Sequence, residues 1–263
     1  MPPKSTFLSR LADRLILKAT THAIDPEQRE RRLIKTSDGE VEAWVNRTES
    51  DHANPTPIVI LKFPGTGGRA ERSWPHPAEM WPFATAEVWT LNHRGYGGSD
   101  APASLSNFCD SCDAFWNEAN QKFPNHKVVV CGNSLGCISA LYLSARYSVD
   151  AVYIRNPPPL AQMIGTRPRY AWSSLGLSKL VAAQVPIELD AIENASKTKC
   201  PVLLTQSELD RVIPTYFQDM VFEQLGGESR KLIIKGADHH ERASEDQKEE
   251  YVDAIQWLGR SLS

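Results

Sequence analysis

The chain has 263 residues, of which 41% are hydrophobic and 23% are charged, a balance typical of one large globular domain. Its formal net charge of −3 gives no electrostatic reason to expect a nucleic acid as partner. No apolar run approaches the roughly 20 residues that a membrane-spanning helix needs.

The N-terminal residues predict an amphipathic helix and no signal peptide. In STFLSRLADRLILKAT, Phe7, Leu8, Leu11 and Leu15 share one helical face, and charged residues interrupt any longer apolar region. We expect residues 1–36 to pack this stripe on the domain, with contact to a membrane surface or a role as a targeting segment as the alternatives. Five cysteines, an odd number, without an export signal predict reduced thiols and a cytoplasmic protein.

Strands and helices alternate along the rest of the chain. The predicted strands lie at 39–47, 57–63, 87–93, 127–132, 150–156, 201–206 and 230–236. The predicted helices lie at about 106–122, from the turn at residue 134 to about 147, after Pro214, and at 244–260. This alternation predicts an α/β fold over residues 37–263, with a mainly parallel central sheet and helices on both faces.

The segment 157–199 begins with three prolines and is too long for an ordinary loop. Its place between two strands predicts a short lid or cap insertion. Within it, Met163, Tyr170, Trp172 and Leu175 could be the apolar lining of a pocket beneath the lid or, equally well, form the core of small helices.

Cys109 and Cys112 have the spacing of a metal or redox pair. No second cysteine pair with ligand spacing follows, and the flanking residues predict a helix that buries Cys112. The histidines outside the loops discussed below also lack metal-ligand spacing. We therefore expect no metal and no cofactor.

The stretch Gly132-Asn133-Ser134-Leu135-Gly136 fits the pattern Gly-x-Ser-x-Gly between a β-branched run and an apolar helical run. A turn this tight strains the serine backbone, and a side chain two residues before or after it would collide with the neighbouring strand or helix. Ser134 then projects from the tip of the turn, where the helix N-terminus favours negative charge. A glycine-rich connection with an incidental serine is the alternative.

A base and a carboxylate follow two later strands, at the sheet edge where ligands bind in open α/β sheets. Asp210 comes after strand 201–206, and His239 comes after strand 230–236. The order Ser134, Asp210, His239 is the one expected when a nucleophile, an acid and a base share one sheet edge.

Each of these partners has a rival nearby. Glu208 competes for the place of the carboxylate, and His240 competes for the place of the base. Asp238 is adjacent to His239 in sequence and is therefore poorly placed to brace that ring from behind.

Four segments together resemble the α/β-hydrolase superfamily, from about residue 40 to the C-terminus. They are FPGTGG at 63–68, NHRGYGGSD at 92–100, GNSLG at 132–136, and the pair SELDRVIP and GADHH. The resemblance implies the α/β-hydrolase fold, with Ser134 as nucleophile, His239 as base and Asp210 as its partner. Asp210 precedes the segment RVIP, as the acid does in the family. Members usually have glycine before the histidine, where this chain has Asp238.

The resemblance also implies where the oxyanion of a tetrahedral intermediate would be held. The backbone N–H of Leu135, directly after the nucleophile, is one expected donor. Family members often have His-Gly where this chain has Pro64-Gly65, so the N–H of Thr66 is the other. In NHRGYGGSD, His93 and Arg94 are expected to brace the loop and take no part in the chemistry.

These features predict a serine hydrolase of the esterase and lysophospholipase-like kind. It would cleave a carboxylic ester or thioester of a small acyl substrate through an acyl-enzyme. The alternatives are a serine peptidase or amidase of the aminopeptidase-like branch, and a protein that keeps the fold but binds without turnover.

Overall fold

The computed structural model describes residues 6–27, 29–166 and 177–262. Eight strands form one sheet in the order β1-β2-β4-β3-β5-β6-β7-β8. β2 runs antiparallel to β1 and β4, whereas the other neighbouring strands are parallel. The strands are β1 (Glu30–Thr36), β2 (Gly39–Thr48), β3 (Thr56–Phe63), β4 (Ala84–Asn92), β5 (Lys127–Asn133), β6 (Ala151–Arg155), β7 (Val202–Ser207) and β8 (Ser229–Ile234).

Helices cover both faces of this sheet. They are α1 (Phe7–Ile16), α2 (Phe108–Lys122), α3 (Gly136–Arg146), α4 (Leu160–Thr166), α5 (Leu177–Ala182), α6 (Ala191–Lys197), α7 (Thr215–Phe222) and α8 (Lys248–Arg260). The helices α2, α3 and α6 bury apolar side chains in one large cluster, and α8 packs in a second cluster against the other face. The predicted mainly parallel sheet with helices on both faces is confirmed.

The central strands are buried because both of their faces are covered. In β3, the four residues Ile58, Val59, Ile60 and Leu61 have no exposed surface. A continuous run of branched apolar residues suits such a strand, since neither face needs polar side chains. Parallel pairing of β5, β6, β7 and β8 brings the carboxyl ends of these strands to one edge of the sheet.

Residues 30–36, assigned above to the N-terminal segment, form the edge strand β1. Arg32 and Ile34 occupy alternate positions of one face, and the Arg32 guanidinium lies 4.9 Å from the centre of the Trp89 ring. Because Arg32 is charged but lies on the inward face, β1 lacks the alternation of apolar and polar residues from which a strand is predicted. The aliphatic stem and planar head of Arg32 nevertheless pack on the sheet.

The helix α1 begins at a Thr6 capping box and lies on the domain. Its inward face centres on Ala12, which is 1% exposed and packs with Ile164 of α4 and Val181 of α5. Phe7 and Leu15 of the predicted stripe are 72% and 43% exposed, so the buried face is turned from the predicted one. In the described parts of the chain, no helix is long and apolar enough to cross a membrane.

The predicted insertion 157–199 contains two different kinds of structure. The helices α4 and α5, called the cap below, pack with each other and with α1. The helix α6 instead packs on α3 and buries Ala191 and Ala195 in the main core, as the crossover between β6 and β7 requires. Met163 packs with Ile213 and Phe217. The other proposed lining residues, Tyr170, Trp172 and Leu175, lie outside the described residues.

Candidate active site

The turn after β5 holds Ser134 in the left-handed region, with φ at 51°. Glycine is required on both sides of this turn. A Cβ on Gly132 would lie 2.5 Å from the Cα of Cys137, and one on Gly136 would lie 2.0 Å from the carbonyl oxygen of Phe63. The structure therefore explains the pattern: α3 passes so close to β3 and β5 that only hydrogen fits at these two positions.

Three side chains from three loops form one hydrogen-bonded chain at the carboxyl edge of the sheet. Ser134 Oγ lies 3.0 Å from His239 Nε2, and His239 Nδ1 lies 2.6 Å from Asp210 Oδ2. The exposed fractions of Ser134, His239 and Asp210 are 7%, 5% and 6%. In this arrangement the carboxylate can hold the imidazole so that Nε2 receives the serine proton.

Asp210 is fixed by hydrogen bonds from its own loop and from α7. Its Oδ1 accepts from the N–H groups of Val212 and Ile213 at 2.8 and 2.7 Å, a turn typical of aspartate. Its Oδ2 also accepts from Gln218 Nε2 at 3.1 Å. These donors leave the carboxylate facing the imidazole.

The rival residues point elsewhere. Glu208 Oε2 accepts from the N–H of Gly236 at 2.7 Å. Asp238 accepts from the N–H groups of Arg211 and His239 at 3.0 and 2.7 Å. The bond from the Arg211 backbone is the main reason why the pKa of Asp238 lies below its ordinary value. His240 is exposed, and its ring packs edge-on against that of His239 at 4.8 Å.

Asn156 is a residue of the site that the sequence analysis missed. It is fully buried at the end of β6 with φ at 51°. Its Nδ2 donates to the His239 carbonyl at 3.2 Å and to Ser207 Oγ at 3.1 Å, and its Oδ1 accepts from the Ser207 N–H at 2.8 Å. Asn156 thereby joins the histidine loop to the end of β7. An asparagine directly after a buried strand, before a proline run, is the one signal that marks it.

The two expected oxyanion donors lie in segments next to the serine. Leu135 directly follows it, and Thr66 lies in the loop of residues 64–68, called the oxyanion loop below. A Cβ on Gly65 of this loop would lie 3.2 Å from the Cβ of Ser134, so the loop lies against this serine. In residues 6–27, 29–166 and 177–262, the N–H groups of Leu135 and Thr66 have no acceptor, which leaves both available to a ligand.

The loop 92–100 carries two buried side chains that hold it in place. His93 Nε2 lies 3.0 Å from Ser139 Oγ, and its ring stacks on Phe108 at 3.8 Å. Burial lowers the pKa of His93 to about 3, so this ring is neutral. Arg94 donates to Asp38 Oδ2 and to the Ala101 carbonyl, both at 3.2 Å. Neither side chain is part of the hydrogen-bonded chain at Ser134.

Cys109 and Cys112 lie on α2, where burial raises the pKa of the Cys109 thiol to about 12. Burial also raises the pKa of Cys112 well above its ordinary value. At both positions burial therefore disfavours the thiolate, the form of cysteine that binds metal. Across the described residues, no three His, Cys, Asp or Glu side chains are grouped as a metal site would need.

The chain is similar in sequence and in backbone to proteins with the α/β-hydrolase fold. Residues 58–177 match a family described as alpha/beta hydrolase fold. The chain is 24% identical over 160 residues to alpha/beta hydrolase domain-containing protein 17B of Xenopus laevis. The aligned region covers 59% of this chain and 50% of that relative. The chain thus spans about half the length of the curated relatives it matches.

Two solved esterases have a similar backbone. The Pyrococcus furiosus esterase Pf2001 is 16% identical, with a TM-score of 0.65 over 94% of this chain and 100% of that one. The acetyl xylan esterase from Paenibacillus sp. R4 is 14% identical, with a TM-score of 0.65 over 95% of this chain and 92% of that one. At such identities the likeness shows the fold, which is the predicted α/β-hydrolase fold.

Proposed function

We propose that this chain, which belongs to the α/β-hydrolase superfamily, is a serine hydrolase that cleaves carboxylic esters or thioesters through an acyl-enzyme. The observation that carries the proposal is the continuous chain from Ser134 Oγ through His239 to Asp210, with distances of 3.0 and 2.6 Å. A serine without such a base is a poor nucleophile at neutral pH.

The first half of the reaction forms the acyl-enzyme. His239 Nε2 takes the proton of Ser134 as Oγ attacks the substrate carbonyl, and Asp210 stabilises the imidazolium that results. The N–H groups of Leu135 and Thr66 hold the oxyanion of the tetrahedral intermediate. His239 then returns the proton to the departing alcohol or thiol.

The second half releases the acid. Water enters, His239 takes its proton, and hydroxide attacks the acyl carbonyl at the same oxyanion position. As this intermediate collapses, the bond between Ser134 Oγ and the acyl carbon breaks and His239 returns its proton to Oγ, which restores the Ser134 hydroxyl and frees the carboxylic acid. Each step uses side chains and amides of this chain, so the proposal needs no cofactor.

An ester is favoured over an amide because an alcohol or thiol leaves more readily than an amine. The esterase names of the similar structures support the same choice. The proposal also puts the enzyme in a reducing compartment such as the cytoplasm, in keeping with five free cysteine thiols.

The test is hydrolysis of p-nitrophenyl esters from acetyl to palmitoyl by the wild type and three variants. We expect Ser134→Ala and His239→Ala to lower kcat by at least about 10³-fold. The neighbouring imidazole provides a matched control: His240→Ala should stay within about threefold of the wild type, because no bond joins it to Ser134. The preferred acyl length would size the pocket.

Other outcomes would redirect the proposal. Turnover of p-nitroanilides but not esters would favour the amidase alternative. Folded wild type that hydrolyses neither, and whose Ser134 is not labelled by a fluorophosphonate, would favour a binding protein. Full activity in Ser134→Ala would remove the serine mechanism altogether.

A further inference from the structure

The oxyanion loop is held from outside by the N-terminal arm, which we define as residues 6–22, and Thr66 makes the link. Thr66 Oγ1 donates to the carbonyl of Ile16 at 2.5 Å and accepts from the N–H of Lys18 at 3.2 Å. The Thr66 carbonyl accepts from Tyr96 Oη at 3.0 Å. The Thr66 hydroxyl is thus both a donor and an acceptor, and both of its partners belong to a segment 48–50 positions away in sequence.

The arm is itself hydrogen-bonded to other parts of the domain. The Thr20 carbonyl accepts from the N–H of Gly97 at 2.9 Å and from Arg69 Nη1 at 3.0 Å. Closer to α1, the Asp13 carboxylate accepts from Ser104 Oγ at 2.7 Å and from the N–H of Leu105 at 2.9 Å. These bonds fix the arm on both sides of the point where Thr66 meets it.

The loop needs such a support because its own sequence does little to fix it. Three of its five residues are glycines, and Gly67 is exposed, with no atom within 4 Å of the place its Cβ would occupy. One backbone bond, from the N–H of Gly68 to the Gly65 carbonyl at 2.8 Å, closes the turn. Glycine-rich backbone has wide conformational freedom, whereas an oxyanion donor must lie within hydrogen-bond reach of a single position.

We propose that the Thr66 side chain is a positioning group for catalysis: by clamping the oxyanion loop to the N-terminal arm, it holds the Thr66 N–H at Ser134. This inference rests on the proposed function, since it assigns the N–H to an oxyanion. The arm also packs on the cap through Ala12, so one segment joins the cap and the oxyanion loop.

Three variants separate the side chain from the backbone amide. Thr66→Val keeps the N–H and the branched shape but removes both hydroxyl bonds, whereas Thr66→Ser keeps the hydroxyl. Thr36→Val is the matched control, because the Thr36 hydroxyl donates to the Gly39 carbonyl at 3.0 Å in the β1–β2 hairpin. With p-nitrophenyl esters, we expect Thr66→Val to lower kcat by about 10- to 100-fold with KM nearly unchanged.

In the same assay, Thr66→Ser should recover most of kcat, and Thr36→Val should match the wild type. A Thr66→Val enzyme with wild-type kcat would overturn the positioning role, as would an equal loss in Thr36→Val. A purely structural effect would lower the active fraction, measured by fluorophosphonate titration, and leave kcat per active site unchanged.

A second measurement does not depend on turnover. Hydrogen exchange of peptides covering residues 64–68 should be faster in Thr66→Val than in wild type, Thr66→Ser or Thr36→Val. Unchanged exchange in Thr66→Val would overturn the clamp whether or not the protein is an esterase. Conversely, faster exchange in Thr66→Val, combined with a wild type that hydrolyses no ester, would uphold the clamp and remove the proposed function.

Discussion

Gly136 lies so close to β3 that it has no room for a methyl group. A Cβ there would lie 2.0 Å from the carbonyl oxygen of Phe63 and 2.7 Å from that of Pro64, and neither backbone atom can swing aside as a side chain could. We therefore expect Gly136→Ala to lower the free energy of unfolding, measured in urea titrations, by about 1–3 kcal/mol or more. Displacement of the adjacent oxyanion loop should lower kcat as well.

The matched control for this residue is Gly67→Ala. The same methyl group would meet no atom within 4 Å there, so the free energy of unfolding should stay within about 0.5 kcal/mol of the wild type. Equal stability of the two variants would show that close packing at Gly136 does not exclude a methyl group.

At the scale of elements, a buried hydrogen-bond network ties β2 and β4 to the loop that follows β3. Asn92, the last residue of β4, donates to Glu42 of β2 at 2.7 Å and to Glu71 at 2.8 Å, and it accepts from the N–H of Ala70 at 2.8 Å. None of the three polar side chains is more than 4% exposed. Asn92→Ala would leave two carboxylates and one N–H short of a partner in the interior. We expect a loss of about 2–4 kcal/mol in the free energy of unfolding.

Asn46 provides the comparison for this network. It also bridges two groups, accepting from Arg29 Nε at 3.0 Å and donating to the Ser73 carbonyl at 3.2 Å, but it is only half-buried. Water can replace its bonds, so Asn46→Ala should cost only about 1 kcal/mol. If both variants lost the same stability in thermal and urea unfolding, burial of the network would not be the reason for its strength.

At the scale of the whole molecule, His93 makes the fold sensitive to acid. Burial lowers its pKa to about 3, whereas an unfolded histidine has a pKa of about 6.5. Between these values the unfolded chain binds a proton that the folded protein does not. The stability that His93 contributes is therefore complete above pH 6.5 and is lost as the pH falls toward about 3, with a loss of about 2 kcal/mol by pH 5.

The measurement is urea unfolding at pH 7.5 and at pH 5. His93→Gln should be less stable at pH 7.5, because it loses the stack on Phe108, but it should lose about 2 kcal/mol less than the wild type between the two pH values. The exposed His52 is the control, and His52→Gln should keep the wild-type dependence. An unchanged pH dependence in His93→Gln would show that other groups cause the acid sensitivity.

The type of sheet and the three polar residues that meet at its edge could be predicted from the amino-acid sequence. Parallel strands carry their carboxyl ends to one edge, so Ser134, Asp210 and His239, each following a buried strand, could be predicted to lie near one another. The need for Gly132 and Gly136 could be predicted as well, because a strand-to-helix turn this tight leaves no room for a side chain at either position.

The groups that hold that edge together could not be predicted, because they come from segments far apart in the sequence. Asn156 bonds to His239, and Thr66 bonds to Ile16 and Lys18, across large distances in sequence. The strand β1 and the division of the insertion into a cap and the crossover helix α6 were likewise decided by the tertiary structure. The local periodicity of apolar residues predicts which face of an element is buried. It does not predict a hydrogen bond or a packing partner that comes from a distant segment of the chain.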